Sequence, residues 1–109
     1  MQVSELSGAA LDWAVAKCEG LDIRRLSGGE FLLADGDFWF PSIDWAQGGP
    51  IIERERIDIL FQEKDRWLAV GFGMNEAQGQ TPLIAAMRCF VASKLGEEIE
   101  IPEKLTEKA

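Results

Sequence analysis

The stretch "PSIDWAQGGPIIERER", residues Pro41 to Arg56, decides how this chain is read. It lies between two runs with strand character and carries a tryptophan, an acid, two glycines, two prolines and a run of alternating charge. Gly48, Gly49 and Pro50 together are strong helix-breaking punctuation and read as a sharp turn. Beyond them, an extended run places Glu53 and Glu55 on one face and Arg54 and Arg56 on the other. Such alternation suits a strand edge that resists edge-to-edge aggregation. On this reading the stretch is a long connector that folds Trp45, Ile51 and Ile52 over a sheet as a lid, and only secondarily a binding loop.

Outward from this segment the elements are better marked. Toward the N-terminus, "SELSGAALDWAVAKCEG" has a start and a stop. Ser7 is placed to cap, Leu6 and Leu11 form a hydrophobic staple, and Gly20 ends the helix. Leu11, Ala14, Val15 and Cys18 form one buried stripe, with Trp13 at its edge. Toward the C-terminus, "QTPLIAAMRCFVASKLGEE" opens on Thr81 as N-cap with Pro82 in the first position, and closes at Gly96 after Lys94.

Between the helices come strand candidates over 22–26, 30–34 and 37–40. Asp35–Gly36 reads as a two-residue type I′ turn that pairs Leu33 with Phe38. That register sets Phe31, Leu33, Phe38 and Phe40 on one face, and Leu32 and Trp39 on the other. A second hairpin, "RIDILFQ" and "WLAVGFG" around "EKDR", pairs Phe61 with Leu68, Ile59 with Val70 and Ile57 with Phe72. These six form its core face, while Leu60 and Trp67 make a semi-exposed patch opposite. The expected fold class is α+β: an antiparallel sheet of about four to five strands in two hairpins, with the N-terminal and C-terminal helices packed on one face. Residues 1–102 are read as one domain and 103–109 as an acidic, polar tail.

Composition bounds the chemistry. A chain of 109 residues buries about two-thirds of its unfolded surface and needs no disulfide framework. Cys18 and Cys89 read as reduced, apolar thiols. Histidine and tyrosine are both missing, which removes the commonest general base and transition-metal ligand. No phosphate-loop or dinucleotide fingerprint occurs at the glycines, and no apolar run is long enough to span a membrane. A formal net charge of −8 disfavours direct binding to nucleic acid or acidic membranes and favours basic protein surfaces.

The quoted segments "LSGAALDWAVAKCEG", "PSIDWAQGGPIIERERI" and "TPLIAAMRCFVASKLGEEIEIP", in this order, resemble the NinX-like family of small proteins of tailed bacteriophages and prophages. The resemblance covers nearly the whole chain, and its most specific block is "WAQGGPIIERE". It implies a phage or prophage origin and residence in the host bacterial cytoplasm. It supplies no activity, substrate, cofactor or catalytic residue to carry over.

These readings lead to a non-enzymatic accessory protein that binds a host or phage protein. The candidate surface is Trp39, Asp44, Trp45, Gln47, Glu53, Arg54 and Trp67, because tryptophans with a charged rim are the usual anchors of protein interfaces. No catalytic residue, cofactor or resident metal is assigned. One alternative is a small metal- or ligand-binding domain or enzyme built on Asp44, Glu53 and Glu55 with a divalent cation. Another is an acidic mimic of nucleic acid. Homodimerisation through a face bearing Leu32, Trp39, Leu60 and Trp67 is a further expectation.

Overall fold

A computed structural model describes residues Met1–Leu105. The chain is α+β, but with three α-helices and two separate three-stranded antiparallel sheets. In order these are α1 (Gly8–Glu19), β1 (Ile23–Arg25), β2 (Phe31–Leu33), β3 (Phe38–Trp39), α2 (Trp45–Glu55), β4 (Asp58–Glu63), β5 (Arg66–Val70), β6 (Glu76–Gly79) and α3 (Pro82–Leu95). The single sheet expected from two hairpins is therefore divided, and α2 separates its parts. Of the expected tail 103–109, a short 3₁₀ turn at Glu103–Leu105 is described, and 106–109 lie outside the described residues.

The central element is α3. Thr81 caps it, its hydroxyl accepting the Ile84 N–H at 3.1 Å, and Pro82 occupies the first turn, where a missing N–H costs nothing. Leu83, Ala85, Ala86, Met87, Cys89, Phe90 and Val91 are all buried, so the body of the helix is apolar nearly all round, as an enclosed segment must be, and only its last turn, Ser93–Leu95, is exposed. It packs on β4, β5 and β6 on one side and against α1 and α2 on others. Burying a side chain such as Phe90 or Met87 contributes about 2 kcal/mol of hydrophobic free energy.

Helix α1 follows the expected pattern. Leu6, Leu11, Ala14 and Val15 are fully enclosed, and Gly20 ends the helix in the left-handed region at φ 69°. Ser7 stands at the N-cap, although its hydroxyl makes no capping bond. The first residues meet the segment that follows α3: the Met1 ammonium donates to the Ile99 carbonyl at 2.8 Å, and the Val3 N–H to the Glu97 carbonyl at 2.8 Å.

Both hairpins are shifted by one residue from the expected register. In the first, Phe31 faces Trp39 and Leu32 faces Phe38. The turn spans Ala34–Gly36 rather than two residues: Leu33 N–H donates to Asp37 O, and only Gly36 has positive φ, at 96°. Asp35 stabilises it by accepting the Asp37 N–H at 3.0 Å. Trp39 therefore joins Phe31 in the core, while Phe38 is exposed.

In the second hairpin Ile59 faces Ala69, Leu60 faces Leu68 and Phe61 faces Trp67. The strands close at Glu63–Arg66 around Lys64 and Asp65, and a bulge between Phe61 and Glu63 absorbs the extra residue. A one-residue slip exchanges faces. Trp67 and Ala69 turn toward α3, and Leu60 lies on the opposite face. The expected face bearing Leu32, Trp39, Leu60 and Trp67 together is thus not formed.

Strand β6 is an addition. Its inner residues are Ala77 and Gly79, and a Cβ at Gly79 would stand 2.5 Å from the Ala85 backbone nitrogen. The first turn of α3 therefore sits directly on this strand, which has no room for the large apolar side chains that usually announce one.

Candidate functional site

The segment read as a connector is the helix α2. Asp44 precedes it in extended conformation and its carboxylate accepts the Ala46 N–H at 2.9 Å, so the acid is an N-cap. Gly48, Ile51, Ile52 and Glu55, at helical spacing, form the inner side, with Gly48 and Ile51 buried. Gly48 is required by contact: a Cβ there would lie 2.7 Å from the Pro41 carbonyl oxygen and 2.6 Å from Leu83 Cδ2. Pro50 sits inside the helix at a cost of one backbone hydrogen bond. Arg56 then ends it in the left-handed region at φ 54°.

This conformation rearranges the candidate residues. Trp45, Gly49 and Glu53 recur every fourth residue and so share the outer face of α2. Trp45 is 54% exposed and Ile43, just before the cap, is 73% exposed. Together with Ser42, Pro82, Leu83 and Ile84 they line a cleft of about 220 Å³ beside the start of α3. The structure thus places Trp45 at the upper end of one face, with Glu53 two turns below and Asp44 at the cap that precedes it.

The other candidates are committed elsewhere. Gln47 clamps the edge of β3: its Oε1 accepts the Phe40 N–H at 2.7 Å and its Nε2 donates to the Phe38 carbonyl. Trp39 is only 7% exposed, and its indole N–H donates to the Asp12 carbonyl at 2.9 Å. That places it in the core, away from the surface on which sequence reading set it. Trp67 is half-buried on the α3 side of its sheet and meets exposed Phe61 edge-on at 5.1 Å.

Arg54 faces α1, where both terminal nitrogens of its guanidinium bond Glu19, one at 3.0 Å, while Nε bonds Glu55 at 2.8 Å. Lys94 closes the chain of charges on Glu55 at 3.2 Å. The Glu19 hydrogen bonds, with those of Glu55, hold the Arg54 guanidinium protonated above its ordinary range, and Arg54 in turn lowers the Glu55 carboxyl. Half-exposed pairs of this kind contribute about 0–1 kcal/mol each. The network joins the ends of the three helices.

The proposed carboxylate set is not assembled. In a helix Glu53 and Glu55 point to different sides, not to one face as an extended run would have it. Asp44 caps the start, about 16 Å from the last turn that carries Glu55. Among the described residues no group of three or more His, Cys, Asp or Glu is gathered to hold a metal ion. Burial, and secondarily the charge of Glu19, pushes the Cys18 thiol up to about 11; burial also raises the Cys89 thiol. Thiols held in the protonated form are poor nucleophiles.

Two residues, Asp12 and Ile43, were not singled out by the sequence. Asp12 is buried, accepts the Ser42 N–H at 2.9 Å, and is pushed up to about 6 by burial. Ile43 occupies the position before an N-cap, where a hydrophobic residue ordinarily packs on the fourth residue of the helix. That residue is Gly48, which offers no side chain, so Ile43 remains outside. The spacing of Ile43, Asp44 and Gly48 is the signal that would have found it.

A family model described as "Bacteriophage P22, NinX" matches residues 2–94, from the first residues through nearly all of α3. The chain belongs to the bacteriophage P22 NinX family. No curated protein matches it. The matched span of this NinX-family chain includes both sheets, the capped helix α2 and the Ile43–Trp45 surface. Among the described residues no helix is long and apolar enough to cross a membrane.

Proposed function

We propose that this NinX-family chain is a non-enzymatic phage accessory protein that binds another protein of host or phage through the surface built on Ile43 and Trp45. The observation that carries this reading is the pair of neighbouring, largely exposed apolar side chains at a helix start fixed by Asp44, Gly48 and Gln47. An aromatic anchor on a rigid element, beside a shallow apolar cleft and a polar rim, is the arrangement from which interface hot spots are made. Asp44 and Glu53 supply an acidic rim, and the net charge of −8 favours a partner with a basic surface around an apolar centre.

Affinity capture from infected and uninfected host lysate tests the reading, with a Trp45→Ala, Glu53→Ala double variant in parallel. Both substituted side chains are exposed, so the variant should retain its circular dichroism and thermal midpoint. The expected result is a stoichiometric partner held by the native chain and lost by the variant. Equal capture by both would move the contact off this surface.

A further inference from the structure

The two sheets expose four edges, β1, β3, β4 and β6. An unpaired strand edge is a template for another strand, and proteins block such edges with charges, short strands or covering groups. Three of the four are managed in this way. On β3 the Gln47 side-chain amide occupies the Phe38 carbonyl and the Phe40 N–H. On β6 the Arg88 guanidinium, anchored to the Leu6 carbonyl at 2.7 Å, donates to the Gln78 carbonyl at 2.8 Å. Strand β1 has three residues, two of them the exposed arginines Arg24 and Arg25.

Strand β4 differs in length and in covering, although exposed Asp58 and Glu63 stand at its two ends. It is the longest strand, at six residues. It has no such covering group among the described residues. Leu60 is 49% exposed and Phe61 63% exposed. From this contrast we propose that β4 is the interface with a second copy of the chain, pairing antiparallel with its own equivalent to make a continuous six-stranded sheet.

The register follows from side-chain chemistry. Cross-strand partners in an antiparallel pair share a face, so a two-fold axis must pass through a residue facing its own copy. Centring on Leu60 sets Leu60 against Leu60, Ile59 against Phe61 and Asp58 against Gln62. Every apolar side chain then meets an apolar one, and the only charge in the span meets a neutral amide. Over the same span, centring on Ile59 would set Asp58 against Leu60, and centring on Phe61 would set Leu60 against Gln62, each opposing a polar to an apolar side chain. The bulge between Phe61 and Glu63 ends the regular strand where this pairing ends. The axis runs perpendicular to the sheet, so both copies of α3 lie on the same face, and the Phe61–Trp67 pair of one copy covers Ile59 of the other.

The test uses purified protein alone and is independent of any other partner. Sedimentation equilibrium over a concentration series should show the mass rising from that of one chain toward that of two. Leu60→Lys sets two ammonium groups against each other on the axis at an exposed position, and should restore the single-chain mass while keeping the native thermal midpoint at dilutions where both proteins are single chains. In a Cys18→Ser background, Leu60→Cys should form a covalent dimer in a glutathione buffer, because facing residues lie within disulfide range. Gln62→Cys, also exposed but facing Asp58, should not. A native chain that stays at single-chain mass throughout overturns the proposal. So does a dimer that persists in Leu60→Lys, or equal crosslinking of the two cysteine variants.

Discussion

The Gln47 side chain accepts the Phe40 N–H at 2.7 Å and, through its other amide atom, donates to the Phe38 carbonyl. A helix side chain thereby takes the place of a neighbouring strand on β3, and this clamp fixes α2 against the first sheet. Gln47→Glu keeps an acceptor for Phe40 but sets a carboxylate oxygen against the Phe38 carbonyl. A loss of about 1–3 kcal/mol is expected near neutral pH. It should be partly recovered as pH falls through the carboxyl range, where a protonated Glu can donate. Chemical denaturation at several pH values reads the effect; a pH-independent loss would show that the clamp is not what Gln47 provides.

Gly48 and Gly49 are adjacent in one helix and should respond oppositely to alanine. Elsewhere in a helix interior the change gains up to about 1 kcal/mol. A Cβ at Gly49 meets only Trp45 Cε3 at 4.0 Å, so Gly49→Ala should raise the thermal midpoint. At Gly48 the new atom would be 2.7 Å from the Pro41 carbonyl oxygen, which cannot move without its backbone, so Gly48→Ala should lower stability by about 1–3 kcal/mol. If both variants gain, α2 does not pack as described.

Asp12 makes stability depend on pH in an uncommon direction. Burial raises its carboxyl from 3.8 to about 6, so the folded chain holds the proton more tightly than the unfolded one. Its contribution is full below 3.8 and is lost as pH rises through about 6, a loss on the order of 3 kcal/mol. Asp12→Asn retains an oxygen for the Ser42 N–H and does not ionise. The stability difference between variant and native chain should therefore grow in the variant's favour as pH rises through about 4 to 7. Urea midpoints for the two proteins across that range measure it. A difference that is constant with pH would mean that Asp12 ionises without cost.

How much of this was legible varies element by element. The flanking helices carried their own signals: Thr81–Pro82 and Gly96 for α3, Leu6–Leu11 and Gly20 for α1. Helix α2 was hidden because its inner stripe begins with a glycine, where close approach to Pro41 and Leu83 excludes a side chain. Gly49 and Pro50 completed the appearance of a turn. The surviving signal was Asp44 followed three residues later by Gln47, the spacing of a capping box, although Gln47 is used on β3 instead.

Both hairpin registers failed for one reason. Alternation locates a strand, but turns and bulges set its pairing, and in each hairpin one extra residue shifts the register. Asp35–Gly36 closes a three-residue loop, and Lys64–Asp65 is preceded by a bulge. That slip moved Trp39 and Trp67 toward the interior and broke up the surface expected from three tryptophans. Trp45 alone of the three remained largely exposed, and it did so because it belongs to the helix that was not foreseen.

The proposed function requires Ile43 and Trp45 to contact a partner. Site-specific photo-crosslinking in infected cells tests it most directly, with a benzophenone amino acid at Ile43 and, as control, at Phe38, an exposed position on another element. One discrete crosslinked species is expected from Ile43, disappearing when Trp45 is also changed to alanine, and none of that size from Phe38. The same products from both positions, or none from Ile43, would contradict it.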